Sequence, residues 1–181
     1  MPTRIATPSD AAAVAHIYAP AVTASHTSFE LIPPSPDQMA RRITATLPRY
    51  PWLVDETGGV VAGYAYAAAH RRRAAYQWSV DVSVYVGPAF QRGGVARRLY
   101  AALFAILRRQ GFVNAYAGIA LPNPASVRLH EAAGFAAIGV CRGEGFKLGK
   151  WVDVSWWHLL LQPPPPDPAP PMPFPELSEL C

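Results

Sequence analysis

Between residues 77 and 86 apolar and polar positions alternate one for one. Trp78, Val80, Val82, Val84 and Val86 fall on one side and Gln77, Ser79, Asp81, Ser83 and Tyr85 on the other. A period of two marks a strand with one buried face, so this stretch predicts a long strand that carries a carboxylate, Asp81, on its polar side. Upstream, Trp52-Leu53-Val54 and the run from Val60 through Tyr66 read as two strands. They join across Thr57-Gly58-Gly59, where glycine tolerates the positive φ of a tight hairpin turn.

Elsewhere the period is helical. Thr7-Pro8-Ser9-Asp10 opens a helix with a capping residue, a first-turn proline and an acid at the positive end, and Val14, Ile17 or Tyr18, and Ala21 form its buried stripe. Ser35-Pro36-Asp37-Gln38 repeats the signature, with Met39 and Ile43 as the apolar face. After Gln91-Arg92-Gly93-Gly94, the spacing of Val95, Leu99, Leu103 and Ile106 predicts a helix to about Gln110, ended by Gly111. A strand over 113–120 follows. Asn123-Pro124 then starts a helix carrying Val127, Leu129 and Ala132 or Ala133, stopped by Gly134. Two last strands, near 135–140 and 152–161, flank a Gly-rich connection at 143–149. Helices between strands in the second half of the chain require a parallel step, so the class is α/β with a mixed sheet.

Composition narrows this to one domain: 181 residues, 51% hydrophobic and 15% charged, suffice for one core and are too short for two ordinary ones. That domain is expected over 1–162. From Pro163 to Pro175 nine of thirteen residues are proline, which suits neither helix nor ladder, so 163–181 is expected to be a flexible, exposed tail. Two cysteines, Cys141 and Cys181, make a disulfide framework and a cysteine metal site improbable and point to a reducing, cytoplasmic compartment. The N-terminus lacks a signal-peptide core, and nothing downstream approaches the roughly 20 apolar residues of a membrane span. The net charge of +4 is concentrated at 71–73, 97–98 and 108–109 rather than in one run. That favours a polyanionic small ligand at least as much as nucleic acid.

The chemistry centres on the strand 82–86 followed by Gln91-Arg92-Gly93-Gly94-Val95-Ala96 at the mouth of a helix. Small residues let backbone approach a ligand, and free N–H groups with the helix dipole favour anionic oxygens. No Gly-Lys-Ser/Thr ending makes it a P-loop, and the dinucleotide glycine spacing is missing. By itself the motif fits a plain glycine turn equally well.

Gln91, Gly94 and Ala96 match the [Gln/Arg]-x-x-Gly-x-[Gly/Ala] signature of the GNAT superfamily of acyl-CoA N-acyltransferases. The chain more closely resembles the phosphinothricin and methionine sulfoximine N-acetyltransferase branch. The shared blocks are Tyr50-Pro51-Trp52-Leu53-Val54, Gly63-Tyr64-Ala65-Tyr66-Ala67, Ser83-Val84-Tyr85-Val86, Leu121-Pro122-Asn123, Ser126-Val127-x-Leu129-His130-Glu131 and Gly145-Phe146-Lys147, in order over roughly 4–161. The resemblance implies a mostly antiparallel, twisted sheet flanked by helices, with a splayed parallel strand pair at the acyl-CoA site. It implies acetyl-CoA as co-substrate, no metal, and a homodimer.

Residue by residue, the resemblance implies that Val84, Tyr85 and Val86 offer main-chain groups to the pantetheine arm. Gln91, Arg92, Gly93, Gly94, Val95, Ala96 and Arg97 would hold the pyrophosphate, Asn123 would contact the pantetheine or the reacting end, and Ser126 would belong to the cofactor site. Side-chain packing of Val84 and Val86 is compatible with that role, because pairing uses backbone. Asp81 stands in Trp78-Ser79-Val80-Asp81, where the family usually has Trp-Thr-Val-Glu; it is the candidate for helping to deprotonate the amine, the shorter side chain favouring a water relay over direct contact. Bonding to neighbouring backbone is its other reading. Arg71 and Arg73 match an Arg-x-Arg-x-Ala-Tyr segment suited to gripping a carboxylate, Arg73 being preferred, although a solvated basic loop would look the same. Phe29 and Glu30, with Tyr85, would line the acceptor pocket. Phe135 stands where many GNAT enzymes have a proton-donating tyrosine, so the leaving group is expected to take its proton from water or to depart as the thiolate, with Tyr85 and Tyr116 as weaker donors. His130 reads as a packing or capping residue, and Lys147 and Trp151 as cover for the acceptor or as a dimer contact.

The function expected is transfer of an acetyl group to the amine of a small amino-acid-like molecule, with no nucleic acid or membrane as partner. A non-catalytic acyl-CoA sensor and an acetyltransferase for a protein amino group are the alternatives. The Arg-x-Arg segment argues against the second of these.

Overall fold

The alternating stretch forms β4 (Ser79–Val86), with Val80 and Val82 buried on the side its pattern predicts. The computed structural model describes residues 3–180. Its other strands are β1 (Thr3–Ile5), β2 (Trp52–Thr57), β3 (Val60–Ala69), β5 (Asn114–Ala120), β6 (Ala136–Lys147) and β7 (Lys150–Leu160). The α-helices are α1 (Ala11–Thr23), α2 (Pro36–Thr46), α3 (Val95–Gln110) and α4 (Pro124–Ala132). One sheet runs in the order β1-β2-β3-β4-β5-β7-β6, antiparallel except for the parallel pair β4 and β5.

Because β2 and β3 are covered on both faces, the sheet separates two cores. On one face Ala65, Ala67, Val80 and Val82 pack against Leu99, Leu103 and Leu107 of α3 and against Phe112. On the other, Trp52, Val54 and Tyr64 meet Val14, Ile17 and Val22 of α1 and Met39 and Ile43 of α2. Ser35 caps α2 as expected, accepting from the Gln38 N–H while the Gln38 side chain accepts from Ser35 N–H at 2.8 Å. Pro8 to Asp10 form a short 3-10 turn rather than the first turn of α1. Arg4 holds the Asp10 carboxylate there through two hydrogen bonds, at 2.8 and 2.7 Å.

Three departures from the sequence reading concern order and edges. β1 has only three residues and no readable period, yet it pairs Thr3 with Asp55 and Ile5 with Leu53. β7 lies between β5 and β6, an arrangement that chain order leaves open. The Gly-rich 143–149 is not a loop: β6 continues to Lys147, shifts register between Cys141 and Gly145, and turns at Leu148 and Gly149. Glycine at 145 has a packing reason, since a Cβ there would stand 2.5 Å from the Phe29 ring.

Beyond Gln162, residues 163–167 are exposed as their composition predicts. The chain then comes back to the domain, where the sequence reading expects a flexible, exposed tail. The Trp78 indole N–H donates to the Ala169 carbonyl at 2.9 Å. Gln110 is anchored to Met172 by its backbone carbonyl and by its side-chain amide, each at 2.8 Å. Phe174 and Leu177 are buried. Proline cannot donate a ladder hydrogen bond, but its neighbours can dock by other groups.

Candidate active site

The parallel ladder is short. β4 and β5 pair at Ser79 and Asn114, Val80 and Ala115, and Asp81 and Tyr116, and there the ladder stops. Past that point β4 pairs with β3 as far as Val86 and Gly63, and β5 with β7 as far as Ala120 and Val154. The two strands therefore diverge, opening a cleft of about 60 Å³. Val82, Ser83, Val84 and Tyr85 form one wall, and residues 117–120 the other. Asn123 and Ser126 at the start of α4 border it, with Asn123 Oδ1 accepting from the Ser126 N–H at 3.1 Å. Tyr100 and His130 line it as well. Such a free strand edge suits an extended, amide-bearing arm, which can bond to it as another strand would.

Beyond the end of β4, Gln91, Arg92, Gly93 and Gly94 form an exposed turn before α3. Gly94 caps the helix at φ 76°, a left-handed conformation that a Cβ would strain. The first N–H groups of α3 have no intrahelical acceptors, and with the helix dipole they offer a cradle for anionic oxygens. Arg92 and Arg97 are exposed beside it, whereas the Val95 side chain is buried and Ala96 is half-buried, leaving those two only backbone to offer.

The sequence reading missed the clasp that holds this turn. Arg98 donates to the Gly93 carbonyl at 3.1 Å and grips Asp55 of β2 through two bonds at 3.0 and 2.9 Å. Asp55 is fully buried. Burial alone would raise its pKa, but hydrogen bonds from Arg98 and Thr3 and the Arg98 charge outweigh that and hold it below the ordinary carboxylate value. A carboxylate following the buried run Trp52-Leu53-Val54 was the available signal.

Asp81 sits at the last rung before the strands part, and it is not bonded only to backbone. Its Oδ1 lies 2.7 Å from His70 Nδ1. Burial raises the Asp81 pKa, while the hydrogen bond and charge of His70 and the charge of Arg71 oppose that rise. His70 had not been singled out, although it continues the Tyr64, Tyr66, Ala68 face of β3 at the same period of two. Its ring crosses β4 to stack on Tyr116 of β5, with centroids 4.1 Å apart and planes 14° apart. Of the two arginines expected to hold an acceptor carboxylate, Arg71 is the one whose charge reaches Asp81. Arg73 is exposed, and its carbonyl accepts the Tyr76 N–H in the turn that follows.

The segment 27–30 approaches from α1. Thr27 lines the cleft, and the Phe29 ring covers Gly145. Glu30 accepts from Tyr18 Oη at 2.9 Å and from Arg42 at 2.7 and 2.8 Å, and the Arg42 hydrogen bonds hold its carboxyl below the usual range. Lys147, read from sequence as a cover or contact residue, is instead buried: its ammonium donates to the carbonyls of Ser28 and Ala21 at 2.6 and 3.3 Å. The Tyr85 ring belongs to an aromatic cluster, 5.3 Å from Tyr64 and 5.0 Å from Tyr18, and burial lifts its pKa far above the phenol norm. It is therefore a poor proton donor. His130 is buried, bonded to Tyr100 Oη at 2.9 Å and to the Ser126 carbonyl at 2.8 Å, in keeping with a packing role. Phe135 is buried against it.

The Asp55 clasp generates a prediction with a definite sign. A carboxyl with a depressed folded-state pKa stabilises the fold above its unfolded value of about 3.9, and that contribution is lost as pH falls through the folded value. Asp55→Asn should lower the melting temperature by several degrees at pH 7, with the gap to wild type closing below about pH 4. Because Arg98 then loses its charged partner, calorimetric titration should also show acetyl-CoA binding weakened about 3- to 10-fold, the worth of roughly one ordinary hydrogen bond. An unchanged affinity would separate the clasp from the anion cradle.

Among the described residues, no helix is long and apolar enough to cross a membrane, and no group of three or more His, Cys, Asp or Glu side chains gathers as metal ligands would. The acetyltransferase (GNAT) domain family matches residues 3–156. The chain is 42% identical to a phosphinothricin N-acetyltransferase of Streptomyces viridochromogenes over 170 residues, covering 93% of each protein. It is 36% identical to an L-methionine sulfoximine/L-methionine sulfone acetyltransferase of Salmonella typhimurium, over 89% of this chain and 95% of that one. The crystal structure of a Sinorhizobium meliloti phosphinothricin acetyltransferase in complex with acetyl-CoA superposes with a TM-score of 0.87 at 31% identity, over 95% of this chain and 97% of that one. With seven strands, one parallel pair and a glycine turn at the mouth of α3, the chain belongs to the GNAT family of acetyltransferases.

Proposed function

We propose that this protein transfers an acetyl group from acetyl-CoA directly to the amine of a small amino-acid-like acceptor, of the class of phosphinothricin, methionine sulfoximine or a related L-amino acid. The observation that carries this reading is the divergence of β4 from β5 immediately beyond Asp81, beside the N-terminus of α3. Main-chain groups of 82–86 pair with the pantetheine arm, the turn and first residues of α3 at 91–97 hold the pyrophosphate, and Asn123 and Ser126 border the reacting end. Arg71, with Arg73, holds the acceptor carboxylate, and Phe29, Glu30 and Tyr85 bound the acceptor's space. A free α-amine is largely protonated near neutral pH, so a proton must leave before the nitrogen attacks the thioester carbonyl; the Asp81 carboxylate assists that loss. Phe135 cannot donate, and the leaving thiolate takes its proton from solvent.

The reading extends to a homodimer in the cytoplasm. β6 is an edge strand, and Ile138, Val140, Phe146, Leu148 and Trp151 are exposed along it and its hairpin. An apolar edge of this kind is a liability unless something covers it, and a second copy would. Light scattering should give twice the chain mass of 19.6 kDa; a monomer at working concentrations would remove the dimer from the account. The exposed Cys141 thiol suits a reducing compartment, which cell fractionation checks.

Activity is tested by CoA release from acetyl-CoA with phosphinothricin, methionine sulfoximine, methionine sulfone and the common amino acids. Turnover is expected with a carboxylate-bearing amine, with kcat reduced about 100-fold or more in Asp81→Asn. Silence across the panel, with acetyl-CoA still tightly bound, would sink the enzymatic reading in favour of an acyl-CoA sensor.

A further inference from the structure

The Asp81 carboxylate already has a partner, and that partner is itself a proton acceptor. His70 Nδ1 lies 2.7 Å from Asp81 Oδ1. An ionised carboxylate can only accept, so this bond assigns a proton to Nδ1, and in the neutral ring that leaves a bare lone pair on Nε2 at the opposite edge. Nε2 makes no hydrogen bond among the described residues. The ring is held on both sides of β4, by the end of β3 from which it projects and by the Tyr116 ring of β5 on which it stacks. Asp81 and Tyr116 are the last rung before the cleft opens, and the imidazole is held against both of them. Tyr116 is steadied in turn by His158, at 4.9 Å, and His158 is bonded to Asn114 at 2.8 Å.

We infer that His70 is the group that takes the proton from the acceptor ammonium, and that Asp81 is a positioning residue which fixes the imidazole tautomer and stabilises the imidazolium. The inference rests on the acetyl-transfer reading above and deepens it. Proton transfer is most efficient when acid and base are matched near the working pH, and imidazoles as a class, at about 6.5, lie nearer an ammonium than carboxylates at about 3.9. The imidazole also supplies reach that an aspartate lacks. The step balances: one ammonium proton passes to Nε2 and from there to solvent, and the freed lone pair forms the C–N bond at the thioester carbonyl. As the tetrahedral intermediate collapses, the C–S bond breaks, and the second nitrogen proton ends, through water, on the departing sulfur.

The groups facing the ring are Asp81 on β4, Tyr116 on β5 with His158 of β7 behind it, and Tyr76 of the turn after the arginines at 6.2 Å; Arg71 acts on it through Asp81. The test is the pH dependence of kcat/KM for wild type, His70→Gln and Asp81→Asn, with melting temperature and acetyl-CoA affinity measured on each. His70→Gln should lose about 100-fold or more in kcat together with the acidic limb of the profile, while acetyl-CoA affinity stays within 2-fold, and imidazole added to His70→Ala should restore part of the rate. Asp81→Asn should keep a limb at a shifted pH. In the wild type, which needs no variant to fold, ¹⁵N NMR of His70 should show a bare Nε2 that gains its proton in step with that limb. His70→Gln retaining a third or more of kcat with the wild-type profile would overturn the inference, as would an Nε2 that carries a proton throughout. Either result leaves acetyl transfer itself standing, whereas loss of all turnover in the wild type would overturn the function and not this assignment alone.

Discussion

The end of the parallel ladder at Asp81 and Tyr116 is the constraint on which the rest of the structure depends. A strand in the middle of a sheet normally satisfies its backbone on both sides, and leaving one side open within a fold costs hydrogen bonds that something must restore. Here both strands keep their outer partners, β3 and β7, so the opening can persist. The inner edges then offer ready-made pairing to an extended ligand. The rung at which pairing stops is also the one that carries Asp81, bonded there to His70.

Around that opening, buried polar groups are used as fasteners. Asp55 lies wholly inside the fold, yet Arg98 reaches it from α3 while also holding the Gly93 carbonyl, so the glycine turn before α3 is tied to β2. Lys147 does the same elsewhere, its ammonium joining the end of α1 and the segment at Ser28 to the tip of the β6–β7 hairpin. Tyr18 strengthens this junction by bonding both Ser28 and Glu30. Two loops that bear on the site are thus held by charge-assisted bonds to backbone, which fix position more narrowly than apolar contact does.

Much of this was legible in the sequence where a period or a cap exposes it. The alternation at 77–86 gave β4 and the polar side of Asp81, and the spacing from Val95 to Ile106, closed by Gly111, gave α3 almost residue for residue. What stayed hidden depends on contacts distant along the chain. β1 is too short to show a period and exists because Leu53 and Asp55 offer it an edge. The glycine at 145 looks like part of a loop because its strand character comes from pairing with Val152 and its place against the Phe29 ring, neither of which is local. Proline content correctly described 163–167 but carried no information about Phe174 and Leu177, whose burial depends on a surface elsewhere in the domain. His70 illustrates the same limit within the site. It stands next to an arginine run that drew attention to itself, and only the sheet register reveals the carboxylate beside it.

The central claim is that the edge of β4 exposed by the splay receives acetyl-CoA. Hydrogen–deuterium exchange with and without acetyl-CoA tests it at the level of the backbone groups involved. The account predicts slowed exchange at residues 82–86 and at 93–97, where amides gain partners from the pantetheine arm and the pyrophosphate. Binding that leaves 82–86 unchanged, with protection appearing elsewhere in the chain, would contradict it.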